Sequence, residues 1–262
     1  MLPLQWPIIT IIFYASAIIW QWRSDQHNHN QHLIILFCIS MPAIILHSFI
    51  LHWTIDTNIG QNLSLFNLIS LVSWLVALLV LLITLVKPIE NLTLLVFPVA
   101  IFAVSLAQFI PGHQIIDTSA HPKQLIHILL STLAFSVMCI AALQALLLAT
   151  QDYLLRHVRD NHFIQKFPPL EVMEQLLFQI ILIGFILLSI VLFTSILFFH
   201  PIFAPQLRQK SFLAIAVWIV FIILLIGRHY LGWRGRTAIN WTIAGALLLM
   251  TLYYGSQFLL HF

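Results

Sequence analysis

Eight apolar runs, separated by every charged residue in the chain, constrain this protein more than any other feature. They fall at Leu4–Trp20, Leu33–Trp53, Leu65–Val86, Leu92–Ile110, Leu125–Thr150, Gln175–Phe199, Phe212–Ile226 and Ala238–Leu260, with all Asp, Glu, Lys and Arg between them. A helix needs about 20 mostly apolar residues to cross a hydrocarbon core about 30 Å thick. In lipid the backbone must satisfy its own hydrogen bonds, so a lone chain spans as helices or as a closed barrel. The alternation of a membrane barrel is absent. The runs therefore predict an all-α, polytopic bundle of eight transmembrane helices, forming one transmembrane domain over residues 1–262. Of 262 residues, 61% are hydrophobic and 7% charged. Soluble domains carry about 25% charged residues, so little mass is expected outside the bilayer.

The basic residues orient the bundle. Loops after the first, third, fifth and seventh runs hold Arg23, Lys87, Arg156, Arg159, Lys166, Arg228, Arg234 and Arg236. The alternate loops hold only Lys123, Arg208 and Lys210. The first set is expected in the cytoplasm, with both termini on the outer side. No basic residue precedes the first run, so it reads as a retained span rather than a cleaved signal. After the fifth run, Gln151 to Arg156 should prolong the helix, and Pro168 and Pro169 should stop any helix before the sixth.

Several chemistries are excluded. A net charge of +3 without a basic stripe does not suit nucleic acid. No G-x-S-x-G, H-E-x-x-H or phosphate-cradling glycine loop occurs, and none of the runs holds a charged relay. The chain therefore reads as no enzyme. Cys38 and Cys139 lie inside apolar runs and read as small buried hydrophobes.

Thirteen histidines stand out against so few charges. His27, His29, His32, His157, His162 and His229 fall on the cytoplasmic side. The first three form a tract that is either a metal ligand set or a solvated polar loop. His47, His52, His113, His121, His127, His200 and His261 fall on the outer side. His47 lies inside its run, five residues after Pro42, where a histidine normally faces the bundle interior or a wet cavity. Asn67, Gln108, Ser131, Thr132, Thr194, Ser195 and Gln257 are polar at similar levels, and Gln144 is toward the inner end. Neutral imidazole ligates haem iron, zinc or copper. Zinc usually recruits carboxylate or thiolate, and the outer side offers only Asp56 and Asp117. Haem needs one or two axial histidines and a large apolar, aromatic-walled pocket, which 20 Phe, 8 Trp and 5 Tyr could supply.

Several motifs resemble one family. His127-Ile128-Leu129-Leu130-Ser131-Thr132-Leu133-Ala134-Phe135, followed by Ala141-Ala142-Leu143-Gln144-Ala145-Leu146, resembles the opening of the cytochrome c assembly transmembrane domain shared by CcsA, CcmC and HemX-like proteins. Gly60-Gln61-Asn62-Leu63-Ser64-Leu65 is similar to its short YpjD branch. So are Pro168-Pro169-Leu170 with Met173-Glu174, Gly232-Trp233-Arg234-Gly235-Arg236, and Tyr254-Gly255-Ser256. The resemblance covers roughly Gly60 to Tyr254, a core of about 60–262. It implies a multi-pass protein of the bacterial inner membrane that binds or chaperones haem, expected to be haem b, at the outer face during cytochrome c maturation or haem regulation. His127 matches the family's histidine at the start of this helix, and His47 and His200 resemble two others. His47 and His127 are the expected iron ligands, with His200 third. The W-G-x-x-W-x-W-D signature of the haem-handling loop is missing, and Gln209 stands where HemX-like relatives often place histidine. Haem ligase activity is therefore not expected. Expected partners are the lipid bilayer, haem and cytochrome c maturation proteins. The rival readings are an accessory subunit of another inner membrane complex, such as an ion transporter, and a small-solute permease. The Gly232–Arg236 loop itself reads as either a positive-inside anchor or a docking site for a cytoplasmic partner or anionic lipid.

Overall fold

A computed structural model of the chain describes residues 3–23, 29–57, 60–110, 112, 114–116, 122–157, 168–198 and 208–258. Among them are eight long helices: α1 (Gln5–Arg23), α2 (His29–Ile55), α3 (Leu65–Thr84), α4 (Thr93–Phe109), α5 (Pro122–His157), α6 (Leu170–Phe198), α7 (Arg208–Tyr230) and α8 (Arg236–Phe258). Each grows from one of the eight apolar runs. As expected, α5 continues past Thr150, and α6 starts directly after Pro168 and Pro169. Pro42 and Pro98 lie inside α2 and α4. Seven of the eight helices are long and apolar enough to cross a membrane; α1, with Gln5, Gln21, Arg23 and three tryptophans in nineteen residues, is less apolar than these.

Large apolar side chains also cover the outside. Ile12, Ile45, Phe102, Ile186, Phe193 and Leu247 are each more than half exposed. Water would penalise so broad an apolar surface, whereas lipid tails match it. Cys38 lies on this exposed surface rather than in the interior, and Cys139 is partly buried.

The chain forms two compact units, Met1–His121 and Pro122–Phe262. In the first, α1 packs on α2 and α4, and α3 packs on α2 and α4. Ala17, Ala43, Ala77, Ala100 and Ala103 are fully buried there. Small residues let helices approach closely, which matters in lipid because apolar burial gives no extra driving force between helices. In the second unit, α5 packs on α6 and α8, and α7 packs on α6 and α8. A β-carbon at Gly184 would meet the tip of the Met138 side chain, and one at Gly245 would meet the Phe221 ring. Many helix hydroxyls bond to a carbonyl one turn earlier, as Ser136 does to Thr132 at 2.8 Å and Thr242 to Ala238 at 2.8 Å, which satisfies them without a partner helix.

The sequence motifs have structural roles. Residues 56–57 (β1), 60–62 (β2) and 115–116 (β3) pair as a small antiparallel sheet in the order β1-β2-β3, an element that hydropathy did not reveal. It joins the α2–α3 and α4–α5 connections. Asn62 is its centre. Its Nδ2 donates to the Gly112 carbonyl at 2.8 Å, and its Oδ1 accepts the Gln114 N–H at 3.1 Å. The Asn67 amide, buried at the start of α3, donates to the Asn62 carbonyl at 3.0 Å.

The other motifs meet at one end of the second unit. The Gln151 amide donates to the Pro168 carbonyl at 2.9 Å, and the Gln144 amide to the Met173 carbonyl at 3.2 Å. Glu174 accepts both Arg228 Nη1 and the Gly235 N–H at 3.2 Å. Gly232 and Gly235 have φ of 64° and 53°, a left-handed conformation that glycine adopts without a steric cost. This turn folds the Trp233 ring over Gly227, leaving no space for a β-carbon there. Gly227→Ala is expected to cost about 1–3 kcal/mol by overpacking, read as a lower melting temperature in detergent. Arg234 is exposed, and Arg236 lies 3.7 Å from Asp152.

Candidate functional site

Two of the expected histidines are described, one in each unit. His47 lies on α2 eight residues before Ile55, about 12 Å from the helix end at 1.5 Å per residue. It is fully buried. Its Nδ1 is 3.2 Å from the Tyr14 hydroxyl on α1, and its Nε2 is 3.0 Å from the Ser70 hydroxyl on α3. The Tyr14 ring meets the imidazole edge-on and packs 5.2 Å from Phe97 on α4. One imidazole thus ties three helices together, and an aromatic contact adds the fourth. In the apolar interior an unmet polar group is costly, so the three side chains satisfy one another. Trp74 reinforces the same contact by donating to the Ile44 carbonyl at 2.9 Å.

His127 lies in the first turns of α5 and is partly buried. Its Nδ1 is 3.1 Å from Thr194 Oγ1 on α6. The Thr194 hydroxyl also lies within donating distance of the Val191 carbonyl, at 2.9 Å; when it donates there, its oxygen is the acceptor for a proton on Nδ1. In the tautomer with its proton on Nδ1 the ring carries its lone pair on Nε2, the arrangement in which ligating histidines are held. One turn along, Thr132 Oγ1 is 2.8 Å from the Tyr253 hydroxyl on α8. The Phe135 ring stacks on Tyr253 at 4.4 Å and meets Tyr254 edge-on at 5.4 Å.

The fit to an iron ligand differs between the two. His127 is oriented by Thr194 through Nδ1. His47 has both nitrogens engaged and would have to release Ser70 to ligate through Nε2, keeping Tyr14 on Nδ1. The third candidate, His200, lies outside the described residues, as do His113, His121 and His261. Tyr14, Ser70 and Tyr253 were missed in the sequence. The signal for them was the one that flagged Thr194: a polar side chain inside an apolar run.

His32, His52 and His157 have local partners. His32 is buried in the first unit, not part of a solvated tract. Its Nε2 is 2.8 Å from Gln21 Oε1, its ring stacks on Trp20, and Gln21 donates onward to Asn91 at 3.1 Å. His27 lies outside the described residues. His52 bonds Asp56 at 2.6 Å, and His157 stacks on Tyr153. Among the described residues, no three His, Cys, Asp or Glu side chains form a group suited to a metal ion.

A family model described as Cytochrome C assembly protein matches residues 34–262. The chain belongs to the cytochrome c assembly protein family. It is 36% identical over 217 residues to inner membrane protein YpjD of Escherichia coli strain K12, covering 82% of each chain. The YpjD proteins of E. coli O6:H1 and O157:H7 match to the same extent. No solved structure matches the chain. The spanning helices and these relatives make it a multi-pass inner membrane protein. Within the family match lie His47 and His127, the Asn62 junction and the Glu174–Arg228 junction.

Proposed function

We propose that this cytochrome c assembly protein binds and chaperones haem b at the outer membrane face, without catalytic turnover, in cytochrome c maturation or haem regulation. The observation that carries the reading is the Thr194–His127 contact, which supports a tautomer with the proton on Nδ1 and the lone pair on Nε2. His127 is the proposed iron ligand through Nε2. His47, in the first unit, is also a proposed ligand, on exchange of Ser70, and His200 is the third candidate. When bound, the haem would supply the redox-active iron; the chain's own part is to orient imidazole and exclude water. Phe135, Tyr253 and Tyr254 form an aromatic group beginning two turns along α5 from His127, in keeping with the apolar surroundings that haem prefers. Maturation proteins or another inner membrane complex would be the partners.

The same proposal includes the topology. α1 supplies an eighth span, with both termini outside. Its packing on α2 and α4 supports this, as does Gln21, whose amide is satisfied internally by His32 and Asn91. The eight-to-three bias of basic residues supports the orientation. On this topology the start of α5, where His127 lies, faces outward.

Titration of the detergent-purified protein with haemin tests the reading. Saturable binding near one haem per chain, with the absorption of histidine-ligated iron, is expected. Only the weak, non-saturating uptake of empty detergent micelles would overturn it.

A further inference from the structure

We propose that the groove between α6 and α7 binds one anionic phospholipid, with its phosphate at Arg228 and its acyl chains along Leu182 and Leu225. The groove has a volume of about 480 Å³ and opens to the surface of the second unit. The two helices run antiparallel there. Glu174 meets Arg228 near one end, and Ser189 meets Trp218 at 2.9 Å farther along. Gln175, Gln179 and Leu182 follow the i, i+4, i+7 spacing of one helix face, and Leu225, Arg228 and His229 the i, i+3, i+4 spacing of one face of α7. All six line the groove. Its chemistry therefore changes along its length. The arginine, histidine and first amide sit at the helix ends. The leucines lie deeper, with Leu182 about 10 Å from Gln175 at 1.5 Å per residue. A phospholipid has the same order of headgroup and tail.

Arg228 is prepared for a phosphate. Nη1 is held by Glu174 and by the Trp233 carbonyl, each at 3.2 Å, and the guanidinium lies 4.6 Å above the Phe178 ring. Nε and Nη2 donate to no acceptor among the described residues, leaving three N–H groups in the planar fork that suits phosphate. Gln175 and Gln179 are exposed, and their side-chain amides make no hydrogen bond among the described residues. Gln179 is more than one turn inside the spanning segment, where an unpaired amide against lipid is unfavourable. Phosphate and ester oxygens would accept from both amides. Glu174 balances the charge of Arg228, so the anionic preference comes from the exposed Arg234, which follows the Trp233 carbonyl that holds Arg228. Arginines near a membrane surface favour anionic headgroups. The exposed leucine end sits within the spanning segments, which favours a lipid over a soluble peptide.

Native mass spectrometry of the delipidated full chain tests this, using dioleoyl phosphatidylglycerol, dioleoyl phosphatidylcholine and dioleoylglycerol. One phosphatidylglycerol should remain bound at activation energies that strip phosphatidylcholine, and dioleoylglycerol should not be retained. Gln175→Leu with Gln179→Leu spares the Glu174–Arg228 pair. It should weaken phosphatidylglycerol about tenfold or more, from two lost hydrogen bonds to a charged group. Arg228→Gln, scored only if it melts like the parent, should weaken it as well. Equal retention of dioleoylglycerol would overturn the phosphate site, and equal retention of phosphatidylcholine would overturn the anionic preference. Unchanged binding in the double variant would also overturn the assignment, because the lipid would then sit elsewhere.

Discussion

Replacing His127 with alanine should abolish tight haem binding while leaving the protein folded. The side chain is partly exposed, and its cross-helix contact is to Thr194 at 3.1 Å. Such bonds in membrane proteins contribute about 0.6 kcal/mol on average, so the melting temperature should move little. The haem effect should be far larger, because no other described residue on α5 offers an imidazole at that level. Thr194→Val is the sharper companion. It keeps the ring and removes the hydroxyl that orients it through Nδ1. Outer-shell partners of metal ligands are worth roughly 10–100-fold in affinity, so haemin affinity should fall within that range with the same final spectrum. Wild-type titration curves from both variants would remove His127 from the site.

His47→Ala should show the opposite balance. It deletes a fully buried ring and both hydrogen bonds that join α1, α2 and α3. Truncating a large buried side chain to alanine costs about 2–5 kcal/mol. A drop of that order is expected in detergent unfolding, with Tyr14→Phe and Ser70→Ala each giving a smaller share. If His47 is also a haem ligand, the folded fraction of His47→Ala should show an altered haem spectrum. An unchanged spectrum alongside the stability loss would assign His47 to the fold alone.

The number and limits of the helices were legible because span length and charge exclusion are linear properties of a chain. Pro168 and Pro169 before α6, and the prolonged α5, could be read the same way. The faces were not legible. The spans are apolar nearly all round, so periodicity does not show which side meets a neighbour. That is why His32, read as part of a solvated or metal-binding tract, lies buried against Trp20 and Gln21. It is also why the partners of His47 went unseen. Topology could rank histidines by depth, placing His47 and His127 at one level. It could not show that they belong to separate compact units. The Asn62 sheet was hidden for a different reason: its hydrogen bonds join loops about fifty residues apart, and no local pattern encodes such a pairing.

The absorption spectrum of the wild-type protein, purified in detergent from haem-replete cells and recorded oxidised and then reduced, tests the central claim most directly. A strong haem band that shifts and sharpens on reduction, as for histidine-ligated iron, is the predicted result. A folded protein with no such band, either as isolated or after incubation with haemin, would contradict it.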